Sequence, residues 1–212
     1  AESMSTVSDK EVWEAEREDR VILDEPVEGD QQVLKLVTAA VLGSLSVAVA
    51  PLASILPRLP WGIALIDPVS LFWVAAFLIG GPYVGLVATG AGTVGLFFFD
   101  PTLIGPFFKL VATLPMVTIP WLAVRLFADS EEGRELARPM FYAWFSFLAI
   151  VVRLVIMIPM NLVLVPIFFG YNDVAGILVT TISLNVIQGF WDMLIPYLVV
   201  HKTPVFENFG LW

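Results

Sequence analysis

MFYAWFSFLAIVVRLVIMIPMNLVLVPIFF, residues Met140–Phe169, runs for thirty positions with one formal charge, Arg153. As a helix rising ~1.5 Å per residue it is about 45 Å long, enough to cross the ~30 Å hydrocarbon core of a bilayer with some tilt. Polar and apolar residues do not alternate along it, so it does not read as a strand of a membrane barrel.

Similar runs lie on both sides. Val174–Val200 follows after a short polar break, and Val33–Leu56, Leu65–Gly80, Tyr83–Phe99 and Leu103–Phe127 precede it. Gly80-Gly81-Pro82 joins the second and third of the six runs, a turn too short to leave the membrane by much. The chain is 58% hydrophobic and only 15% charged, against about 25% charged in ordinary globular domains. Several such runs in series leave too little polar surface to face water. The expected fold is therefore an all-α membrane domain of about six spans over residues 33–200, between an arm at 1–32 and a tail at 201–212.

The arm carries the charge. Eleven Asp and Glu against three Lys and Arg fall between Ala1 and Gln32, in a chain whose net charge is -9. Ser8-Asp-Lys-Glu11 reads as a capping box for a short surface helix near Glu11–Ile22. The rest of the arm suits a solvated, partly disordered segment, or one that docks onto a basic partner. It lacks the apolar core and cleavage site of a secretory signal.

Short loops rich in Lys and Arg stay on the cytoplasmic side. Arg125, Arg134 and Arg138 lie between spans four and five, Lys35 at the start of span one and Lys202 after span six. An even number of crossings with both termini cytoplasmic satisfies these and leaves Arg58 as the exception. The loops at Arg58–Trp61, Asp100–Thr102 and Tyr171–Asp173 then face outward together.

Helices in lipid approach closely through small residues. Span one carries Ala40, Ser44 and Ala48 at four-residue spacing, with Ala39 and Gly43 beside them. Span three repeats the device with Gly81, Gly85, Ala88, Gly92 and Gly95. Either stripe suits packing within the chain or docking of another membrane subunit.

Polar groups inside lipid cost a few kcal/mol and so face a partner, a cavity or a ligand. Those present are Asp67, Lys109, Arg153, Asn161, Asn185, Gln188 and Asp192. Arg153 and Asn161 stand about two helical turns apart on span five, and Asn185, Gln188 and Asp192 share a face of span six. Arg153 and Asp192 suit a buried ion pair. The amides of Asn161, Asn185 and Gln188 suit either interhelical bonds or a neutral, heterocyclic or polyhydroxylated ligand. Trp61, Phe107, Phe108, Tyr171 and Trp191 are candidate aromatic walls or interface anchors.

Enzymatic signatures are missing. No Gly-x-x-x-x-Gly-Lys loop, His-Glu-x-x-His or Gly-x-Ser-x-Gly occurs, so no ATP hydrolysis or catalytic site is expected. With no cysteine and one histidine, His201, neither a thiolate nor a bis-histidine metal site can form, and no cofactor is expected. The acidic balance argues against nucleic acid.

Four stretches resemble the substrate-binding S components of energy-coupling factor vitamin importers, most of all the riboflavin-type subfamily. They are Ala39-Ala40-Val-Leu-Gly43-Ser44; Asp67-Pro-Val-Ser70 leading to Ala75-Ala-Phe-Leu-Ile-Gly-Gly-Pro82-Tyr-Val-Gly85; Gly105-Pro106-Phe-Phe-Lys109 with Leu-Val-Ala-Thr-Leu-Pro115; and Pro159-Met-Asn161 followed by Ser183-Leu-Asn185-Val-Ile-Gln188-Gly189. The resemblance implies six helices in the plasma membrane. It implies a vitamin held in the outer half by spans four to six and the first outer loop, with Asp67, Lys109, Arg153, Asn161, Asn185, Gln188, Trp61 and Phe107 as candidate contacts. It also implies docking of span one, through Ala39, Ala40, Gly43, Ser44 and Ala48, onto a transmembrane coupling subunit that carries two ATPase subunits. Gln188 stands where riboflavin-type members have a lysine, which leaves the vitamin open. The alternative expectation is a structural or anchoring subunit of a larger membrane complex.

Overall fold

The computed structural model describes residues 28–51, 68–99, 104–128 and 133–212. The capping box, the helix near Glu11–Ile22, the loops around Arg58 and Asp100, Trp61 and Asp67 lie outside the described residues. Contacts divide the chain into Ala1–Leu34 and Lys35–Trp212. In the first unit residues 28–34 are helical, and the second holds everything described below.

Helices account for the described architecture. They are α1 (Glu28–Val49), α2 (Pro68–Leu96), α3 (Ile104–Phe127), a 3-10 turn (Arg134–Ala137), α4 (Pro139–Phe169), α5 (Val174–His201) and the short α6 (Val205–Phe209). No strand occurs among the described residues. By length and composition each of α1 to α5 suffices to cross a membrane, though α2 is divided at Gly81. Span one begins earlier than hydropathy predicts, at Glu28, because polar residues prolong the helix beyond the apolar run. Spans four to six fall within about a residue of their predicted limits.

Helix α2 contains both predicted spans two and three. Gly81 has φ 74° and ψ -169°, a region open essentially to glycine, and the chain folds back there. A Cβ placed on Gly85 would lie 2.6 Å from the Phe77 Cβ, and one on Gly92 would lie 2.3 Å from the Trp73 Nε1. In a straight helix residues eight apart are about 12 Å apart along the axis, so 68–80 and 82–96 are antiparallel arms of a hairpin. Pro82 opens the second arm, where its missing N–H costs nothing. Each arm is roughly 20 Å long, which keeps the hairpin tip within or close to the bilayer.

The ends of α4 and α5 follow local rules. Pro139 occupies the first turn of α4, and Gly170, at φ 66°, closes it with an N–H to the Pro166 carbonyl. Asp173 caps α5, its carboxylate accepting from the Ala175 N–H at 3.1 Å. The break between them is so short that the two helices pack antiparallel.

The main core joins the first arm of α2 to α3, α4 and α5 through Phe77, Leu78, Met116, Val124, Tyr142, Ala149 and Met193. Tyr142 stacks on Tyr197 at 4.7 Å and donates to the Met193 carbonyl at 3.0 Å. Helix α1 lies on the second arm through Ala39 against Val84 and Ala88. A Cβ on Gly43 would sit 3.2 Å from the Ala88 carbonyl oxygen, so this contact depends on small residues, as lipid packing requires. The Trp73 indole donates to Ser46 Oγ at 2.8 Å, tying α1 to both arms. Trp144, Phe147, Val155, Val163 and Ile167 on α4 all stay exposed, an apolar surface that water would disfavour and lipid accepts.

Candidate functional site: a polar cluster between the last two helices

Asn185, Gln188 and Asp192 follow one another at i, i+3 and i+7 on α5, which sets them on one face. Opposite them stands Arg153 of α4. Its Nε donates to Asn185 Oδ1 at 2.8 Å, Nη1 to Asp192 Oδ2 at 2.9 Å and Nη2 to Gln188 Oε1 at 3.2 Å. One planar guanidinium therefore engages three side chains over two turns of α5, which its fork of donors permits and a lysine's point charge would not.

The pair is deeply placed, with Arg153 3% and Asp192 1% exposed. Formal charges cancel, and hydrogen bonds offset part of the desolvation cost that either ion alone would meet. The other carboxylate oxygen of Asp192 accepts from Ser70 Oγ at 2.7 Å, which extends the cluster to the hairpin's first arm. Asn185 Nδ2 donates to the Thr181 carbonyl at 2.8 Å, fixing which end of the amide meets Arg153.

Of the sequence-predicted residues, Arg153, Asn185, Gln188 and Asp192 are brought together. Asn161 lies half-buried two turns along α4 and donates to its own helix, at the Met157 carbonyl, 2.7 Å. Lys109 is half-buried in α3, and Phe107 beside it is 45% exposed. Asp67 and Trp61 lie outside the described residues. At the opposite end of α4 from Arg138, Tyr171 donates to Asp173 Oδ2 at 3.3 Å. The Asp173 carboxylate raises the Tyr171 phenol above its ordinary range, because ionisation there would set two negative charges side by side.

The small residues of α1 sort onto two faces. Ala39 and Gly43 are buried against the hairpin, whereas Ala40, Ser44 and Ala48 are exposed. No metal-binding group of three or more His, Cys, Asp or Glu occurs among the described residues.

Sequence reasoning missed Ser70 as a partner of Asp192 and missed the role of Trp212. The indole Nε1 of Trp212 donates to the Leu78 carbonyl at 2.9 Å, and the Leu211 N–H donates to that of Ile79 at 2.7 Å. A signal existed for the second, since Pro82 cannot supply the amide that the Leu78 carbonyl would meet in a continuous helix.

Comparison with protein-family models, with characterised proteins and with solved structures gave no match for this chain. Fold and composition define an all-α, multi-pass membrane protein, in which Ser70, Asn185, Gln188 and Asp192 form one polar cluster with Arg153.

Proposed function

We propose that this chain is the substrate-capture subunit of an energy-coupling-factor-type importer in the plasma membrane. In this reading it binds a vitamin or related small molecule from outside, a riboflavin-like heterocycle being the first candidate. A transmembrane coupling subunit and two ATPase subunits then drive delivery, and the chain itself catalyses nothing. The observation that carries the reading is the division of α1. Ala39 and Gly43 are used up inside the fold, while Ala40, Ser44 and Ala48 leave a smooth, exposed stripe suited to a second set of helices.

The ligand side is supported by Asn161. Its Nδ2 is committed to Met157, and its amide oxygen has no hydrogen-bond partner among the described residues. Arg153 is neutralised by Asp192 and ties α4 to α5 two turns from Asn161. Binding of a panel of vitamins to the protein in nanodiscs, followed by calorimetry, tests this part. Binding of one of them, weakened at least tenfold in Asn161→Ala, is expected, and no binding by any member would count against it.

One observation favours the second reading, an anchoring subunit of a larger complex: Asn185 and Gln188 spend their oxygens on Arg153. Affinity capture from gently solubilised membranes separates the two. Recovery of a membrane subunit with ATPases, lost in Ser44→Leu, supports the importer, and stable partners without any ATPase support the anchor.

A further inference from the structure

At the hairpin tip the first arm of α2 ends with carbonyls that no following amide of its own helix can reach. Two of these, on Leu78 and Ile79, are satisfied by Trp212 and Leu211. The Trp212 indole fills a slot between two glycines of positive φ. A Cβ on Gly81 would lie 3.4 Å from its Cδ2, and a Cβ on Gly133 would lie 2.3 Å from the same atom. Phe77 meets the ring edge-on at 5.3 Å. Hairpin tip, Gly133 at the start of the 3-10 turn and residues 211–212 therefore converge on a single side chain.

The rest of this segment is held at one further point, where the half-buried Phe206 packs against the main core and meets the His201 ring at 4.9 Å. Helix α6 has no buried residue, and a bend at Lys202–Pro204 precedes it. Phe206, Glu207, Gly210 and Trp212 line one wall of a cavity of about 660 Å³, and Arg134 and Ala137 line the other. A short terminal segment with no fully buried residue opens at a lower free energy than the helices it rests on.

We infer that residues 205–212 are a hinged latch. Trp212 in its glycine slot is the catch, the bend at Lys202–Pro204 is the hinge, and opening separates the two walls of the cavity while the five long helices stay folded. Release also bares the Leu78 and Ile79 carbonyls, so an open latch loosens the tip of the hairpin whose first arm holds Asp192 through Ser70. The inference stands on these contacts and does not depend on the proposed transport function.

The test uses the full chain in nanodiscs and the absence of native cysteine. Ala137→Cys provides one thiol in the cavity wall behind the latch, and its labelling by a water-soluble maleimide is timed with and without Trp212→Phe. Loss of one hydrogen bond, about 1.4 kcal/mol, multiplies the open population roughly tenfold. The expected result is labelling about ten times faster in Trp212→Phe, with hydrogen exchange unchanged in α4 and α5. Unchanged labelling, or exchange that rises throughout the helices, overturns the latch. As a second measurement, joining Ile79→Cys to Leu211→Cys by oxidation should slow exchange across residues 205–212 at least tenfold, and exchange at the uncross-linked rate would overturn it equally.

Discussion

Replacing Arg153 by methionine keeps much of the side chain's length and removes its charge and its donors. Asp192, 1% exposed, then keeps Ser70 as a partner but loses the cation at 2.9 Å. Removing one member of a buried ion pair costs about 3–5 kcal/mol in soluble proteins, because the remaining charge stays desolvated. Asn185 and Gln188 lose a donor as well, and each such loss adds up to ~1 kcal/mol where water cannot replace it. Interhelical hydrogen bonds in membranes average lower, near 0.6 kcal/mol, which argues for the bottom of the range, about 3 kcal/mol in all. The pair with Asp192→Leu closes the cycle. Asp192→Leu alone is expected to cost about 2–3 kcal/mol, and the double variant no more than either single one. Reversible unfolding in mixed micelles reads all four proteins. Strict additivity of the two single costs would refute the ion pair as the organising contact of α4 and α5.

Other expectations follow from the same contacts. Gly85→Ala drives a methyl into Phe77 and should destabilise by about 1–3 kcal/mol, whereas Gly90→Ala meets nothing within 4 Å and should be neutral or stabilise by up to ~1 kcal/mol in the same unfolding assay. Trp73→Phe removes the indole donor to Ser46 while keeping most of the ring, and a loss of about 1 kcal/mol is expected. Tyr171 should ionise at higher pH than an unperturbed phenol, and Asp173→Asn should lower that midpoint. Difference ultraviolet titration against Tyr171→Phe reads it, and a midpoint unmoved by Asp173→Asn would contradict the electrostatic cause.

Most of the fold was legible in the sequence because hydropathy marks helices that face lipid. Span five was readable from its apolar length alone, and the Gly81-Pro82 step marked the reversal between spans two and three. The start of α1 was less so, since Glu28–Gln32 is polar and hydropathy has no view of a helix outside the apolar run. The site was half legible. Spacing on α5 put Asn185, Gln188 and Asp192 on one face, and the rarity of charge in lipid singled out Arg153. Spacing within a helix does not say which helix lies opposite, so the convergence of both amides on Arg153 and the entry of Ser70 needed the folded chain. Asn161 shows the competing local choice, in which an asparagine bonds the carbonyl four residues back on its own helix. Trp212 reaches Leu78 across 134 positions, a distance at which no periodicity carries information.

The stripe of α1 illustrates how far pattern reaches. Small residues at four-residue spacing announce close packing, but Ala39 and Ala40 are neighbours in sequence and face different surroundings. Only the seating of α1 on Val84 and Ala88 separates the face used inside the fold from the face left open. That separation makes Ala39→Leu a test of stability and Ala40→Leu a test of association.

The most direct measurement of the central claim is mass spectrometry of the small molecules that leave the gently solubilised, purified protein on denaturation. A vitamin-like heterocycle at near-stoichiometric amount, absent from Asn161→Ala prepared in the same way, is the predicted result. A preparation that carries no small molecule, from cells grown with the full range of vitamins, would contradict the capture of a substrate by this chain.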